Sequence, residues 1–120
     1  MRTDPRIEVD AMCWEWIDGR EESALVVDLS PFGARVERPF VGGVTPHTVP
    51  LQLEVPGFDE VMWARAAPTF DQVVQRGRGL VRRTGYRIVA AAQRDLRMLR
   101  DYVMTRREDK QNLFDYLMRM

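Results

Sequence analysis

The chain has 120 residues, 45% hydrophobic and 30% charged, a balance that suits one soluble domain and excludes wholesale disorder. A net charge of +0 hides an uneven layout: residues 1–60 hold five arginines against twelve acids, and residues 61–120 hold thirteen basic residues against six acids. The one cysteine, Cys13, excludes an internal disulfide and a cysteine-built zinc cage, and no apolar run approaches the ~20 residues of a membrane span.

Residues 1–10 are too charged for a signal peptide, so a reducing, cytoplasmic setting is the expectation. From Ile7 to about Ile88 the pattern is one of short extended segments between turn residues. Ile7–Ile17 is apolar and aromatic and stops at Asp18-Gly19, a hairpin turn signal. Leu25–Leu29 is a short apolar run interrupted by Ser30-Pro31-Phe32-Gly33, and Ala34–Glu37 resumes with period-two alternation. Arg38–Val49 reads as a loop. Leu51, Leu53 and Val55 alternate with Gln52 and Glu54 and end at Pro56-Gly57, a half-buried strand. Val61–Ala66, Gly79–Arg83 and Tyr86–Val89 are further strands, the last two divided by a turn at Thr84-Gly85. Six or seven short strands with no helix between them predict a small antiparallel β-barrel or sandwich. Trp14, Trp16 and Trp63 are expected to fill the barrel or its rim.

After Val89 the period changes. Ala90–Ala92 lead into an amphipathic helix with Leu96, Leu99 and Val103 on one face. A continued heptad would put Arg106 and Lys110 in that seam, and Thr105-x-x-Glu108 fits a capping box, so a second helix is expected to start there. The expected fold is thus a mostly β protein: a barrel followed by a C-terminal helix or helices. Residues 1–104 form the domain and 105–120 a helical extension. Leu113, Phe114, Leu117 and Met118 would share one face of that extension. The face could fold back on the domain, pair with a second copy, or meet a partner or membrane surface.

Two groups of residues carry candidate chemistry. Arg2-Thr3-Asp4-Pro5-Arg6 places two arginines four positions apart on an arm that Pro5 keeps out of a regular helix. Asp28-Leu29-Ser30-Pro31-Phe32-Gly33 lies between two strands, with Asp28 and Ser30 leaving the same face and Gly33 permitting positive φ or close backbone approach. Taken alone, the arginines could be solvated terminal residues, and Asp28 and Ser30 could merely cap the turn.

At these residues the chain resembles the PilZ family, bacterial receptor domains for cyclic di-GMP. Arg2 and Arg6 match the family's Arg-x-x-x-Arg arm. Asp28, Ser30 and Gly33 match its Asp/Asn-x-Ser-x-x-Gly turn, in the same order and at a similar separation. The Leu-x-Leu-x-Val-Pro-Gly run at 51–57 and the final strand-then-helix are similar to the rest of the layout, so the likeness covers roughly residues 2–104. The resemblance implies a six-stranded barrel with ligand on its surface under the arm. It implies Arg2 and Arg6 on phosphate and guanine, Asp28 and Ser30 on guanine, and Gly33 in the turn. Arg35 is a lesser candidate that could equally be a surface charge. These residue types suit the ligand: an Arg fork meets guanine O6 and N7 in two parallel bonds, and a carboxylate accepts from guanine N–H groups.

Other chemistries lack members. His47 is the one histidine, the sole lysine is Lys110, and no Gly-rich phosphate loop is present, so no catalytic set, metal site or cofactor is expected. The expected function is a non-enzymatic cyclic di-GMP effector that changes its surface for a partner protein. The alternative is a PilZ-like adaptor that binds protein and no nucleotide. DNA and RNA are not expected partners, and a homo-oligomer through the C-terminal helix stays open.

Overall fold

The structure is a computed structural model that describes residues 5–40 and 42–120, so Arg2 of the arm lies outside the described residues. Six antiparallel strands are joined in the order β1-β2-β3-β6-β5-β4, and β4 pairs back onto β1 to close a barrel. The strands are β1 (Ile7–Ile17), β2 (Arg20–Ser30), β3 (Gly33–Pro39), β4 (Val49–Leu53), β5 (Met62–Arg76) and β6 (Gly79–Ala91), followed by helix α1 (Gln93–Met118).

Alternation decides what fills the barrel. In β1 the inward positions are Ile7, Ala11, Cys13 and Glu15; in β4 they are Val49, Leu51 and Leu53. The β1–β2 hairpin turns at Asp18 (φ 52°) and Gly19 (φ 75°), the two left-handed residues that match the twist of paired strands. In β2, Ala24 and Val26 point inward, and an irregularity in register between Val26 and Asp28 then shifts the phase. Leu29 becomes the next inward side chain and Asp28 is turned outward, a re-aiming typical of a β-bulge.

Four expectations from the sequence are corrected here. Thr84-Gly85 is not a turn: β6 runs through both, and the Phe70 ring lies where a Gly85 Cβ would stand, so the glycine makes room within the sheet. The Ala90–Ala92 stretch does not lead the helix, because Ala90 and Ala91 pair with Arg65 and Ala64 as the end of β6. No second helix starts at Thr105: α1 runs unbroken through it, and no glycine or proline lies between Gln93 and Met118 to interrupt it. The tryptophans do not fill the barrel. The inward phase of β1 is taken by Cys13 and Glu15, which leaves Trp14 and Trp16 outside, where Trp16 stacks on the exposed Trp63 with ring centres 5.4 Å apart.

Helix α1 is attached by its first half. Leu99 and Val103 are fully buried in the barrel's apolar core, with Leu96 and Tyr102 packed beside them. From Met104 to Met120 every side chain is exposed. Of the three fates open to the Leu113, Phe114, Leu117 and Met118 face, the structure does not adopt the fold-back.

Candidate functional site

The two sequence motifs meet at Asp28. Arg6, just ahead of β1, places Nη1 3.1 Å from Asp28 Oδ1, and Arg35 of β3 places Nε 2.7 Å from Asp28 Oδ2. The Arg6 contact is a formed hydrogen bond; the Arg35 contact is an ion pair whose N–H is not aimed at the oxygen. Asp28 is largely covered, whereas both arginines remain over one-third exposed. The bulge in β2 explains how the carboxylate gets there, and antiparallel pairing sets Arg35 directly across from it.

Ser30 and Gly33 serve the turn that follows. Ser30 is buried; its hydroxyl accepts from the Phe32 N–H at 3.2 Å and donates to the Gly33 carbonyl at 3.5 Å. Gly33 does not need positive φ. Its Cα faces the backbone of β6 so closely that a Cβ would stand 1.9 Å from the Tyr86 carbonyl oxygen. In this structure both residues hold the β2–β3 connection against the barrel, and it is Asp28 that reaches outward.

Asp28 and Arg35 form part of the wall of an open groove of about 700 Å³. The rest of the wall includes Glu8 and Asp10 of β1, Arg76 of β5, Arg83 of β6, and Tyr102 and Arg106 of α1. Arg76 and Arg83 both bond Glu37 of β3: Arg76 Nη2 lies 2.8 Å and Arg83 Nε 2.7 Å from Oε2. The groove therefore carries four arginines and three carboxylates, a mixed-sign surface suited to a ligand with both anionic groups and N–H donors.

Arg76, Arg83, Tyr102 and Arg106 escape the motif-based reading. Arg83 and Arg76 come from a hairpin more than 40 residues beyond Asp28, and no local pattern ties them to it. Arg106 had a signal: it occupies the position where the apolar seam of α1 breaks. His47 lies exposed in the loop after β3 and faces no cluster of ligating residues; among the described residues no group of three or more metal-ligating side chains is gathered.

A second polar group lies inside the barrel. Glu15 is fully buried; its Oε2 takes hydrogen bonds from Arg38 Nη1 at 3.1 Å and from the Tyr86 hydroxyl, while Oε1 has no hydrogen-bond partner among the described residues. Burial pushes the Glu15 carboxyl above its ordinary range, against the opposing pull of the Tyr86 hydrogen bond and the Arg38 charge. Burial and the neighbouring Glu15 raise the Tyr86 hydroxyl and the Cys13 thiol as well. Arg82 and Asp71 form a bidentate pair nearby, Nε and Nη2 each 2.8 Å from an oxygen, and Arg82 also donates to the Gly43 carbonyl at 2.9 Å. Burial raises the Asp71 carboxyl, but the bonds from Arg82 and Thr45 outweigh it and hold the group below its usual range. These groups are tied to one another and define the loop after β3.

Compared by sequence alone, the chain matches no family model and no curated protein. Compared by structure, it is similar to the PilZ domain of YcgR from Escherichia coli, solved with c-di-GMP: the TM-score is 0.66 at 16% identity over 95% of this chain and 97% of that one. MrkH from K. pneumonia matches with a TM-score of 0.75 at 14% identity, over 93% of this chain and 53% of that one. The Bacillus subtilis inhibitor of motility (MotI/DgrA) matches with a TM-score of 0.73 at 15% identity, over 92% of this chain. The chain spans 53% of that protein, about half its length. The closed six-stranded barrel with its C-terminal helix is the fold of a PilZ domain.

Proposed function

We propose that this chain is a cyclic di-GMP-binding effector, a receptor and not a catalyst, which acts in the cytoplasm on a partner protein. The observation that carries the proposal is the convergence of Arg6 and Arg35 on the two oxygens of Asp28 at the wall of a groove. YcgR was solved with c-di-GMP on the same fold, and PlzA from Borreliella burgdorferi, solved in complex with c-di-GMP, has a TM-score of 0.69 at 6% identity.

Binding on this geometry is an exchange of partners. Without ligand, Asp28 holds Arg6 and Arg35 in place and offsets their charge. A guanine that brings its N–H edge to Asp28 releases both guanidinium groups to the guanine acceptors and to the phosphates. Ion pairs whose arginines stand over one-third open to water are worth only about 0–1 kcal/mol, so little is lost when they open. Arg2 joins Arg6 on the arm, Arg35 is a full member of the set, and Ser30 and Gly33 hold the turn that presents Asp28. The exchange changes the surface around Arg6, Asp28 and Arg35, and a partner that prefers this state is recruited. No polymeric nucleic acid is required.

Titration calorimetry of the purified protein with cyclic di-GMP tests this. Asp28→Ala and Arg6→Ala should each weaken binding roughly 30- to 150-fold, the scale of a lost charge-assisted contact of about 2–3 kcal/mol. Cyclic di-AMP, which lacks the guanine edge, should bind far more weakly. Wild-type protein without affinity for cyclic di-GMP overturns the proposal. It would favour the second reading, a PilZ-fold adaptor that binds protein alone, which the exposed Leu113, Phe114 and Leu117 face of α1 supports as a surface for a partner or a second copy.

A further inference from the structure

The groove has a helical wall as well as a β-sheet wall. Three of its four arginines are already engaged, Arg35 with Asp28 and Arg76 and Arg83 with Glu37. Arg106 of α1 makes no ion pair or hydrogen bond among the described residues. It is not a loose tail charge, however. It lies seven residues after Leu99 and three after Val103, so it extends the helix face that those two bury in the barrel. Its backbone is set one turn beyond the last buried anchor.

A second groove of about 400 Å³ shares Glu8 and Arg106 with the first and adds Ile7, Asp109, Lys110 and Leu113. Arg106 thus stands where the two grooves join, between the start of β1, which carries the Arg6 arm, and α1. The acids on this stretch are Glu8 and Asp10 on the strand side and Asp109 on the helix side. A purely anionic ligand would be repelled by them, whereas one with both phosphates and N–H donors can satisfy both walls.

We infer that Arg106 is a ligand residue of this site, taking a phosphate of the bound cyclic dinucleotide from the helix side, so that ligand bridges the barrel to α1. The inference rests on the function proposed above. Its consequence is a route from site to surface: the contact ties down the helix where its buried half passes into the exposed half that carries Leu113, Phe114 and Leu117.

The test compares wild type, Arg106→Gln and Arg107→Gln by titration calorimetry with cyclic di-GMP. Arg107 removes the same charge one position along, about 100° around the helix, and lines neither groove. Arg106→Gln should bind about tenfold more weakly with unchanged melting temperature, the scale of one charge-assisted contact on an open surface, while Arg107→Gln stays within about twofold of wild type. Amide hydrogen exchange over residues 104–112 should slow when wild-type protein is saturated and slow less in Arg106→Gln. Equal affinities for wild type and Arg106→Gln overturn the inference, as do equal losses in the two variants, which would mark a general field effect. If wild type itself does not bind, the functional reading fails and this inference with it; if Asp28→Ala loses binding while Arg106→Gln does not, only the helix contact fails.

Discussion

Gly33→Ala separates two roles for the glycine that closes the β2–β3 turn of the candidate site. One role is clearance for a ligand; the other is clearance for the protein's own backbone. The built position of a Cβ at residue 33 lies 1.9 Å from the Tyr86 carbonyl oxygen, 2.9 Å from its carbon and 3.2 Å from Arg87 Cα. A comfortable carbon–oxygen approach is about 3.3 Å, so β3 and β6 must part by more than ~1 Å. All three obstacles are backbone, so no rotamer change relieves them. The gap opens beside the Ile88 N–H to Phe32 carbonyl bond, which measures 2.7 Å, and within the Gly33–Arg87 pairing. Overpacking strain of about 1–3 kcal/mol and one weakened hydrogen bond at about 1 kcal/mol give a loss of roughly 2–4 kcal/mol. For a domain of this size that lowers the melting temperature by roughly 8–16 °C. Thermal unfolding followed by circular dichroism reads it directly. A variant that melts within about 2 °C of wild type refutes the backbone argument and returns the glycine to a ligand-clearing role.

Three further outcomes follow from the same geometry. Cys13 is fully buried with its thiol raised by burial and by Glu15, so Ellman's reagent should leave the native protein unlabelled and react only across the urea transition; prompt native labelling would show the barrel to be open at β1. Because the Glu15 carboxyl is raised in the folded state, its contribution to stability is fully present below the ordinary glutamate value and declines as pH rises towards the raised value. Urea unfolding of wild type against Glu15→Gln should therefore show the wild-type advantage shrinking across that window, by at most about 1.4 kcal/mol per pH unit, and a flat or growing advantage would contradict the burial argument. Asp71, held low, has the opposite sign but is common to both proteins and drops out of the difference. Deletion of residues 111–120, all exposed, should leave the melting temperature and cyclic di-GMP affinity unchanged; a substantially earlier melt would show that the distal helix packs on the domain.

The barrel was legible in the chain because its signals are local. Alternation at Leu51, Leu53 and Val55, the Asp18-Gly19 turn and the change of period after the last strand are each set by neighbours within a few residues. The candidate residues Arg6, Asp28, Ser30 and Gly33 stand out for the same reason, since the Arg-x-x-x-Arg and Asp-x-Ser-x-x-Gly spacings are written in short stretches. Where a glycine signals a turn, though, local reading cannot see the ring across the sheet, and Gly85 in β6 was misplaced for that reason. The capping-box pattern at Thr105 likewise lost to a helix with nothing to break it.

The phase of each strand and the meeting of distant ones belong to the tertiary structure. A register shift in β2 turns Asp28 outward and Leu29 inward, and the closed barrel gives the inward phase of β1 to Cys13 and Glu15, leaving the tryptophans outside. Pairing of β2 with β3 brings Arg35 onto Asp28, pairing of β3 with β6 brings Arg83 onto Glu37, and burial of Leu99 and Val103 swings Arg106 to the same groove. None of these distances is encoded in spacing along the chain. They follow from strand pairing and from burial of one helix face, which position side chains by the packing of their backbones.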